Sequence, residues 1–227
     1  MNFAIILAGG SGSRVGAEIP KQFIEVNGKP ILAYTLERFQ AHPLIDQICV
    51  VCIRGWEDTV RSYIERYGIT KLTAITEGGL TALESIRNGI NCTEAQPEDI
   101  FIIHDGVRPM VDPKSIQEVI QDCRTYGGAI SSIPLVEHVF YTGNDRTDLH
   151  YIPRENAFRT ITPQAYQYKV LQRAFHRSDE TGIGKDAPFI GIMMMDLGEK
   201  VCLSKGSVNN IKITSPKDIL VFKSMFE

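Results

Sequence analysis

The chain lacks any apolar run close to the roughly 20 residues that a membrane-spanning helix needs. Its 5 cysteines are odd in number and scattered along 227 residues, which argues against a disulfide framework. The net charge is only −3, so there is no overall positive field to attract nucleic acid. The opening MNFAIILA is short and lacks the basic start of a signal peptide. We therefore expect a cytoplasmic protein without a membrane or nucleic-acid partner.

The sequence also lacks a convincing metal or redox motif. Cys49 and Cys52 form a CxxC pair, but this pair lies inside the apolar stretch QICVVCI. That stretch is typical of a strand, on which residues three apart point to opposite faces. The pattern favours two separately buried thiols over a zinc or redox pair. No other His and Cys spacing in the chain suits a metal site.

What the sequence does contain is a regular alternation of apolar strands and amphipathic helices. The predicted strands are 3–8, 47–53, 71–76 and 99–105, and the predicted helices are 30–42, 56–68, 81–90 and 112–127. Such alternation indicates βαβ units in a mostly parallel sheet with helices on both faces, which is a Rossmann-like α/β fold. The length and a hydrophobic content of 43% suit a single domain over 1–227.

The alternation breaks after residue 135. Residues 136–160 hold two β-prone stretches on either side of TGNDRTD, which is rich in turn-forming residues. We interpret this segment as a projecting β-hairpin arm, and the alternative is a simple surface loop. Beyond it we predict a helix near 167–177, strands near 200–214 and a closing helix from Ser215.

A glycine-rich segment, LAGGSGSRVGAEIPKQF, directly follows the first predicted strand. Gly9, Gly10 and Gly12 would let backbone amides approach phosphate oxygens without obstruction by a Cβ. Ligands of open α/β sheets bind in the crevice at the carboxyl ends of the strands. Arg14 and Lys21 place two cations within reach of one polyphosphate, and fixed cations stabilise the charge of a phosphoryl-transfer transition state.

This loop differs from two common phosphate-binding patterns. The GK[ST] ending of a Walker loop is missing, and the third glycine of a GxGxxG pattern is displaced to Gly16. An oxidoreductase would also need an acidic residue about 20 positions after the glycines. Glu25 comes too early for this role, and position 30 is proline. The loop therefore favours nucleotidyl transfer over dinucleotide-dependent redox chemistry.

Five segments, in order along the chain, resemble motifs of the cytidylyltransferases that act on 2-C-methylerythritol 4-phosphate or ribitol 5-phosphate. They are LAGGSGSRVG with the following PKQF, EGGLTALESIRNGI, HDGVRP, RENAFRTITPQAY and KGSVNNIKITSPKDI. The resemblance implies the sugar-nucleotidyltransferase fold and the transfer of CMP from CTP to a polyol phosphate, with Mg²⁺ as cofactor. It also implies a homodimer, because this family uses the arm to complete the neighbouring subunit's site.

The resemblance implies roles on the nucleotide side. Arg14 and Lys21 would hold the triphosphate and act in catalysis. The remaining nucleotide-binding residues would be Ala8, Gly9, Gly10, Gly12, Gly79, Ser85 and Asp105. Asp105, which would also bind the metal, follows an apolar strand, and the alternative is that it caps the next helix. We interpret the neighbouring His104 as structural.

On the substrate side, Arg108 and Lys212 would bind the incoming phosphate, and Lys212 would share in catalysis. Arg108 precedes a proline, which favours extended backbone, and its guanidinium suits bidentate phosphate recognition. Lys212 alternates with apolar neighbours in a predicted strand, and the alternative is a solvent-exposed lysine. Arg154 and Thr162 match substrate positions of the family, although Arg154 could equally be an exposed arm residue.

Three positions depart from the family pattern. Ala82 stands where an arginine is usual, His138 where the arm usually has a threonine, and Lys185–Asp186 where a Thr–Asp pair is usual. We assign His138, Lys185 and Asp186 to substrate binding. These changes favour ribitol 5-phosphate, arabinitol phosphate or a related surface-polysaccharide precursor as the acceptor.

Three alternatives remain open from the sequence. The first is 2-C-methylerythritol 4-phosphate cytidylyltransferase of isoprenoid synthesis, and the second is an enzyme that uses UTP or GTP. The third is a non-catalytic nucleotide-binding regulatory module. Against it stands the presence of five charged site residues that binding alone would not need together: Arg14, Lys21, Asp105, Arg108 and Lys212.

Overall fold

The computed structural model describes residues 1–10 and 19–226. Its strands are β1 Asn2–Ala8, β2 Glu25–Val26, β3 Lys29–Pro30, β4 Gln47–Cys52, β5 Leu72–Glu77, β6 Ile100–Asp105, β7 Gly128–Pro134, β8 Val139–Thr142, β9 Leu149–Ile152, β10 Phe158–Gln167 and β11 Cys202–Lys205. Its α-helices are α1 Ile31–Ala41, α2 Glu57–Tyr67, α3 Ala82–Asn91, α4 Pro113–Tyr126, α5 Tyr168–Thr181, α6 Ile190–Asp196 and α7 Pro216–Lys223. Short 3₁₀ turns cover Lys21–Phe23, Arg154–Asn156 and Ser224–Phe226.

Seven of these strands form one sheet with the order β11-β7-β10-β6-β1-β4-β5. β1 pairs in parallel with β4 and β6, β4 pairs in parallel with β5, and β11 pairs in parallel with β7. β10 runs antiparallel between β6 and β7. The prediction of a mostly parallel sheet is confirmed, and the antiparallel β10 is an addition that the strand pattern did not reveal.

Helices cover both faces of the sheet, as the alternation predicts. On β1, Ala4 and Ile6 pack in one core with α1, α2 and α4, whereas Phe3 and Ile5 pack in a second core with α3, α5 and α6. This division follows from the two-residue side-chain period of a strand. It also separates Cys52, in the first core, from Cys49, in the second. The interpretation of the CxxC pair as two separately buried thiols is therefore confirmed.

Local capping chemistry sets several helix boundaries. The side chain of Asp112 accepts a hydrogen bond from the backbone N–H of Ser115, and Pro113 occupies the first turn of α4. Gly127 ends α4 in a left-handed conformation, with φ of 84°. Ser215, the predicted start of the closing helix, is the N-cap of α7 and forms a capping box with Asp218.

The segment 136–160 contains an antiparallel hairpin, in which Val139 pairs with Ile152 and Thr142 with Leu149. The carboxylate of Asp145 accepts hydrogen bonds from the backbone N–H and the hydroxyl of Thr147, which closes the connecting turn. The hairpin interpretation is thus correct, and the simple loop is not. Several apolar side chains of the hairpin are exposed: Phe140, Tyr141, Leu149 and Tyr151.

The predicted strands near 200–214 shorten to β11, which forms one edge of the sheet. Lys212 therefore lies in a segment without regular secondary structure and not in a strand. Its neighbour Ile213 is buried and donates a backbone hydrogen bond to the carbonyl of Val107, at 2.9 Å. The predicted alternation of buried and exposed residues is correct in this segment. Its backbone, however, bonds to the loop after β6 instead of to a neighbouring strand.

Across residues 1–10 and 19–226, no helix combines the length and the apolar character needed to cross a bilayer.

Candidate active site

Two cavities of about 300 Å³ each open at the carboxyl ends of β1 and β6. The first lies between the end of β1, the 3₁₀ turn Lys21–Phe23 and the start of α3. The second lies between the end of β6, β10 and the start of α6. Leu7, Ala82, Asp105 and Lys212 line both cavities. A ligand in either cavity would therefore contact the same carboxylate and ammonium groups.

The first cavity brings together most of the predicted nucleotide-binding residues. Those in its lining are Ala8, Gly9, Gly10, Lys21, Gly79, Ser85 and Asp105. Gly12 and Arg14 lie outside the described residues, so their predicted roles stay predictions. The glycine-rich segment and the start of α3, which are about seventy residues apart in sequence, face the same space.

The turn before α3 has a defined shape. The hydroxyl of Ser85 accepts a hydrogen bond from the N–H of Gly79 at 3.0 Å, and the hydroxyl of Thr81 caps α3 by accepting from the N–H of Glu84. A Cβ at Gly79 would lie 2.3 Å from the Cβ of Glu84, so this position needs glycine. The partial positive charge at a helix N-terminus favours an anionic ligand. Ser85 thus supports the cavity wall as well as lining it.

Gln22 is a site residue for which no role was predicted from the sequence. Its side chain is buried, with 1% exposed, and its Nε2 donates hydrogen bonds to the carbonyls of Ala8 at 2.6 Å and Gly10 at 3.1 Å. These bonds tie the turn that carries Lys21 to the end of β1. The available signal in the sequence was the place of Gln22 in the PKQF motif, next to Lys21.

We expect Gln22→Ala to raise KM for the nucleotide about tenfold, because one unpaired buried carbonyl costs ~1–3 kcal/mol and the loop loses its support. Steady-state kinetics with varied nucleotide would measure the effect. Gln121→Ala, on the exposed face of α4, is the matched control. An unchanged KM would show that the end of β1 keeps its shape without this side chain.

Asp105 stands where the two cavities meet. Its carboxylate accepts from Lys212 Nζ at 2.9 Å and from Arg108 Nε at 2.8 Å, and its side chain is 17% exposed. Burial alone would raise the pKa of Asp105, but the charges of Lys212 and Arg108 outweigh burial and lower that pKa to about 2. The carboxylate is therefore ionised at neutral pH and holds the side chains of Lys212 and Arg108 where the two cavities meet. The alternative in which Asp105 caps the next helix is wrong, because Asp112 caps α4.

Asn210 is the second residue that the sequence analysis missed. Its backbone carbonyl accepts from Arg108 Nη1 at 2.8 Å, and its side-chain Nδ2 donates to the carbonyl of Thr162 at 2.7 Å. Thr162 in turn accepts from the backbone N–H of Asp105. Asn210 thus holds two predicted substrate residues in a fixed relation to Asp105. The similarity of the NNIKIT segment to a family motif was the available signal.

The predicted substrate residues divide among three places. Arg108, Thr162 and Lys212 line the second cavity. Lys185 and Asp186 line a third cavity of about 290 Å³ between α3 and α5. The other two belong to the hairpin segment: His138 has its ring 6.2 Å from that of Tyr151, and Arg154 donates to the carbonyl of Val136. The chain by itself brings only the first group to the two cavities.

His104, next to Asp105, is fully buried in β6, and its Nε2 bonds to the carbonyl of Arg108 at 3.1 Å. Burial lowers its pKa from 6.5 to about 4, so the ring is neutral at physiological pH. Buried in this way, His104 is structural, as the sequence analysis interprets it.

The pKa of His104 predicts an acid sensitivity of the fold. The unfolded chain binds more protons than the native one between about pH 6.5 and 4, so the stabilisation is complete above this window and is lost as the pH falls through it. The free energy of unfolding should fall between about pH 7 and 4.5, and in His104→Leu this fall should be smaller by roughly 2 kcal/mol. Burial also lowers the pKa of His42, so some pH dependence should remain.

Urea unfolding at several pH values would measure this difference, with His176→Gln on the exposed surface of α5 as the control. Equal pH dependence in the His104→Leu variant and the unmodified protein would contradict the assignment of a low pKa to His104.

Comparisons with known proteins identify the family of the chain. A family model described as IspD, 2-C-methyl-D-erythritol 4-phosphate cytidylyltransferase, matches residues 2–227. The chain is 44% identical to ribitol-5-phosphate cytidylyltransferase of Lacticaseibacillus paracasei, over 97% of this chain and 96% of that protein. It is 35% identical to 2-C-methyl-D-erythritol 4-phosphate cytidylyltransferase of Syntrophus aciditrophicus, over 99% of this chain and 95% of that protein.

A solved structure extends the comparison to the fold. The crystal structure of 4-diphosphocytidyl-2C-methyl-D-erythritol synthase from Anaerococcus prevotii superposes with a TM-score of 0.86 at 25% identity, over 100% of this chain and 98% of that one. The fold class and the family resemblance inferred from the sequence are thereby confirmed. The chain belongs to the IspD family of cytidylyltransferases and is a nucleotidyltransferase.

Proposed function

We propose that this protein transfers CMP from CTP to ribitol 5-phosphate, or to a closely related alditol phosphate, and releases pyrophosphate. The observation that carries the reaction type is the pair of adjoining cavities with Asp105 and Lys212 in their common wall. The acceptor is supported by the relative at 44% identity, which is named for ribitol 5-phosphate, against 35% for the relative named for methylerythritol phosphate.

In this proposal CTP occupies the first cavity. The backbone of Ala8, Gly9 and Gly79 lies within its lining and would read the edge of a cytosine ring, with Gly79 contributing its carbonyl because its N–H donates to Ser85. Lys21, in the same lining, and Arg14 bind the triphosphate. The N-terminus of α3 adds a partial positive charge on the opposite wall.

The acceptor phosphate occupies the second cavity, beside Arg108 and Lys212. One of its oxygens attacks the α-phosphorus of CTP, a P–O bond forms, and the bond to the β-phosphate oxygen breaks with release of pyrophosphate. A phosphate monoester has its second pKa near ~6, so this nucleophile is already ionised and needs no general base. The cations reduce the repulsion between two anions and stabilise the charge in the transition state.

A magnesium ion fits this site as a partner of the triphosphate. Among the described residues that line the first cavity, Asp105 is the one carboxylate, and no cluster of three or more His, Cys, Asp or Glu in residues 1–10 and 19–226 could hold a metal. Mg²⁺ at nucleotide sites commonly takes one or two carboxylates together with phosphate oxygens. Asp105 would supply that ligand, and the ion would neutralise charge on the phosphates.

A substrate panel tests the acceptor directly. Pyrophosphate release would be measured with ribitol 5-phosphate, arabinitol 5-phosphate and methylerythritol 4-phosphate, each with CTP, UTP and GTP. We expect kcat/KM with CTP and ribitol 5-phosphate to exceed that with methylerythritol 4-phosphate by ~10²-fold or more. A preference for methylerythritol 4-phosphate would overturn the proposed acceptor and leave the reaction type in place.

We also propose a homodimer formed through the hairpin arm, in which His138 and Arg154 reach the second cavity of the partner subunit. Support comes from the exposed apolar side chains of the arm, which nothing else in the described chain covers. Analytical ultracentrifugation should find a dimer that Phe140→Asp dissociates, while Leu220→Asp on the exposed face of α7 leaves it intact. A monomeric unmodified protein would contradict this part of the proposal.

A further inference from the structure

Two cysteine side chains meet at a place outside the cavities described above. Cys49 is buried in the middle of β4, whereas Cys92 is exposed at the C-terminal cap of α3. Their Sγ atoms are 2.9 Å apart, within hydrogen-bonding distance of each other. The two residues are 43 positions apart in sequence, so only the packing of α3 on the sheet brings them together.

Close packing of the last turn of α3 explains this approach. At Gly89, a Cβ would lie 2.7 Å from a methyl carbon of Ile5 and 2.9 Å from one of Val51, so glycine lets the helix rest directly on β1 and β4. Cys92 follows three residues later, and its backbone N–H bonds to the carbonyl of Asn88. Its thiol is therefore held against the sheet at the level of Cys49.

The hydrogen bond between the thiols makes Cys92 the more reactive one. The pKa of Cys92 is lowered mainly because its sulfur accepts this hydrogen bond. The pKa of Cys49 is raised, mainly because its thiol donates the bond and also because the thiol is buried. Burial raises the pKa of Cys52 to about 11 and of Cys123 to about 12, and it also raises that of Cys202. Because the thiolate is the nucleophile, the exposed Cys92 should react first with an oxidant.

We propose that Cys49 and Cys92 form a reversible intramolecular disulfide when a peroxide reaches Cys92. The Cys92 thiolate attacks one peroxide oxygen, the O–O bond breaks, and a sulfenic acid and hydroxide form. The sulfur of Cys49 then displaces the sulfenic hydroxyl, the S–S bond forms, and water leaves. In total, two thiols are oxidised and hydrogen peroxide is reduced to two molecules of water.

Such a bond would protect Cys92. A sulfenic acid without a nearby thiol is open to further oxidation to sulfinic and sulfonic acids, which are irreversible in most proteins. With Cys49 at 2.9 Å, the sulfenic acid is consumed by disulfide formation instead. Reduction by a thiol then restores both cysteines.

The test exposes the reduced full-length protein to hydrogen peroxide and maps its peptides by mass spectrometry without reduction. We expect a peptide linked through Cys49 and Cys92, the loss of two titratable thiols, and recovery of both with dithiothreitol. Cys92→Ser should abolish the linked peptide, and Cys202→Ser, which removes a partly exposed thiol elsewhere, should retain it.

A second variant probes the role of Cys49 as the resolving thiol. Cys49→Ala, which suits a buried site better than serine, should leave Cys92 as sulfinic or sulfonic acid under the same peroxide treatment. The proposal is overturned if the unmodified protein accumulates sulfonic acid at Cys92 with Cys49 still reduced. It is also overturned if Cys92 stays reduced while peroxide oxidises Cys202.

Discussion

Replacing Lys212 with alanine should lower kcat by ~10²–10³-fold, the usual loss when one fixed contact to transition-state charge is removed. Lys212 lines both cavities, and its ammonium is held 2.9 Å from Asp105 Oδ1. In the proposed mechanism this position lies between the nucleotide and the attacking phosphate. The ammonium group of Lys212 stabilises the transition state more than the bound substrates, because negative charge accumulates between them during transfer. The substitution should therefore lower kcat more than it raises KM for CTP.

Kinetics with each substrate varied in turn would separate these effects. Lys217→Ala, which removes an exposed lysine at the start of α7, is a matched control and should keep full activity. Thermal unfolding would verify that Lys212→Ala still folds, because among the described residues the change leaves Asp105 with Arg108 as its one ion-pair partner. A higher KM for the polyol phosphate at unchanged kcat would assign Lys212 to substrate binding alone.

Lys21→Ala should be similarly damaging, with turnover lower by ~10²–10³-fold and the fold retained. Lys21 is held in the 3₁₀ turn Lys21–Phe23, only 9% exposed, and it lines the first cavity beside Gly9 and Gly10. In the proposed mechanism it binds the nucleotide in the first cavity, and it does not line the second cavity. Its loss should therefore reduce turnover by the same factor with every accepted polyol phosphate.

Comparison of ribitol 5-phosphate with a poorer acceptor would test this independence. Lys169→Ala, which breaks only an exposed ion pair with Glu98, is the control and should leave the rate unchanged. Turnover by Lys21→Ala at the rate of the unmodified enzyme would remove Lys21 from the mechanism. A loss confined to one acceptor would place Lys21 near the substrate instead of the triphosphate.

The two lysines also bear on the hypothesis of a non-catalytic binding module. The family comparisons place the chain among cytidylyltransferases, so that hypothesis is not supported. Ala82, which stands where the family usually has an arginine, lines both cavities. This departure from the family pattern therefore lies where it can affect the choice of acceptor.

The sequence by itself determined the features that depend on neighbouring residues. Short apolar runs identified the strands, and helical spacing of apolar residues identified the helices, in the first half of the chain, because both patterns are local properties. The predicted starts of α4 and α7 lie at Asp112 and Ser215, the residues that cap these helices in the structure. The opposite faces of Cys49 and Cys52 followed from the geometry of one strand.

Only the tertiary structure decided which distant residues meet. Asp105 and Lys212 are 107 positions apart, and their contact depends on the strand order and on the loops between strands. The same holds for the bond of Gln22 to Ala8 and for the location of Lys185 in a separate cavity. The antiparallel insertion of β10 between β6 and β7 brings Thr162 to Asp105. A local pattern carries no information about such pairings, because their free energy comes from contacts that exist only after the sheet has formed.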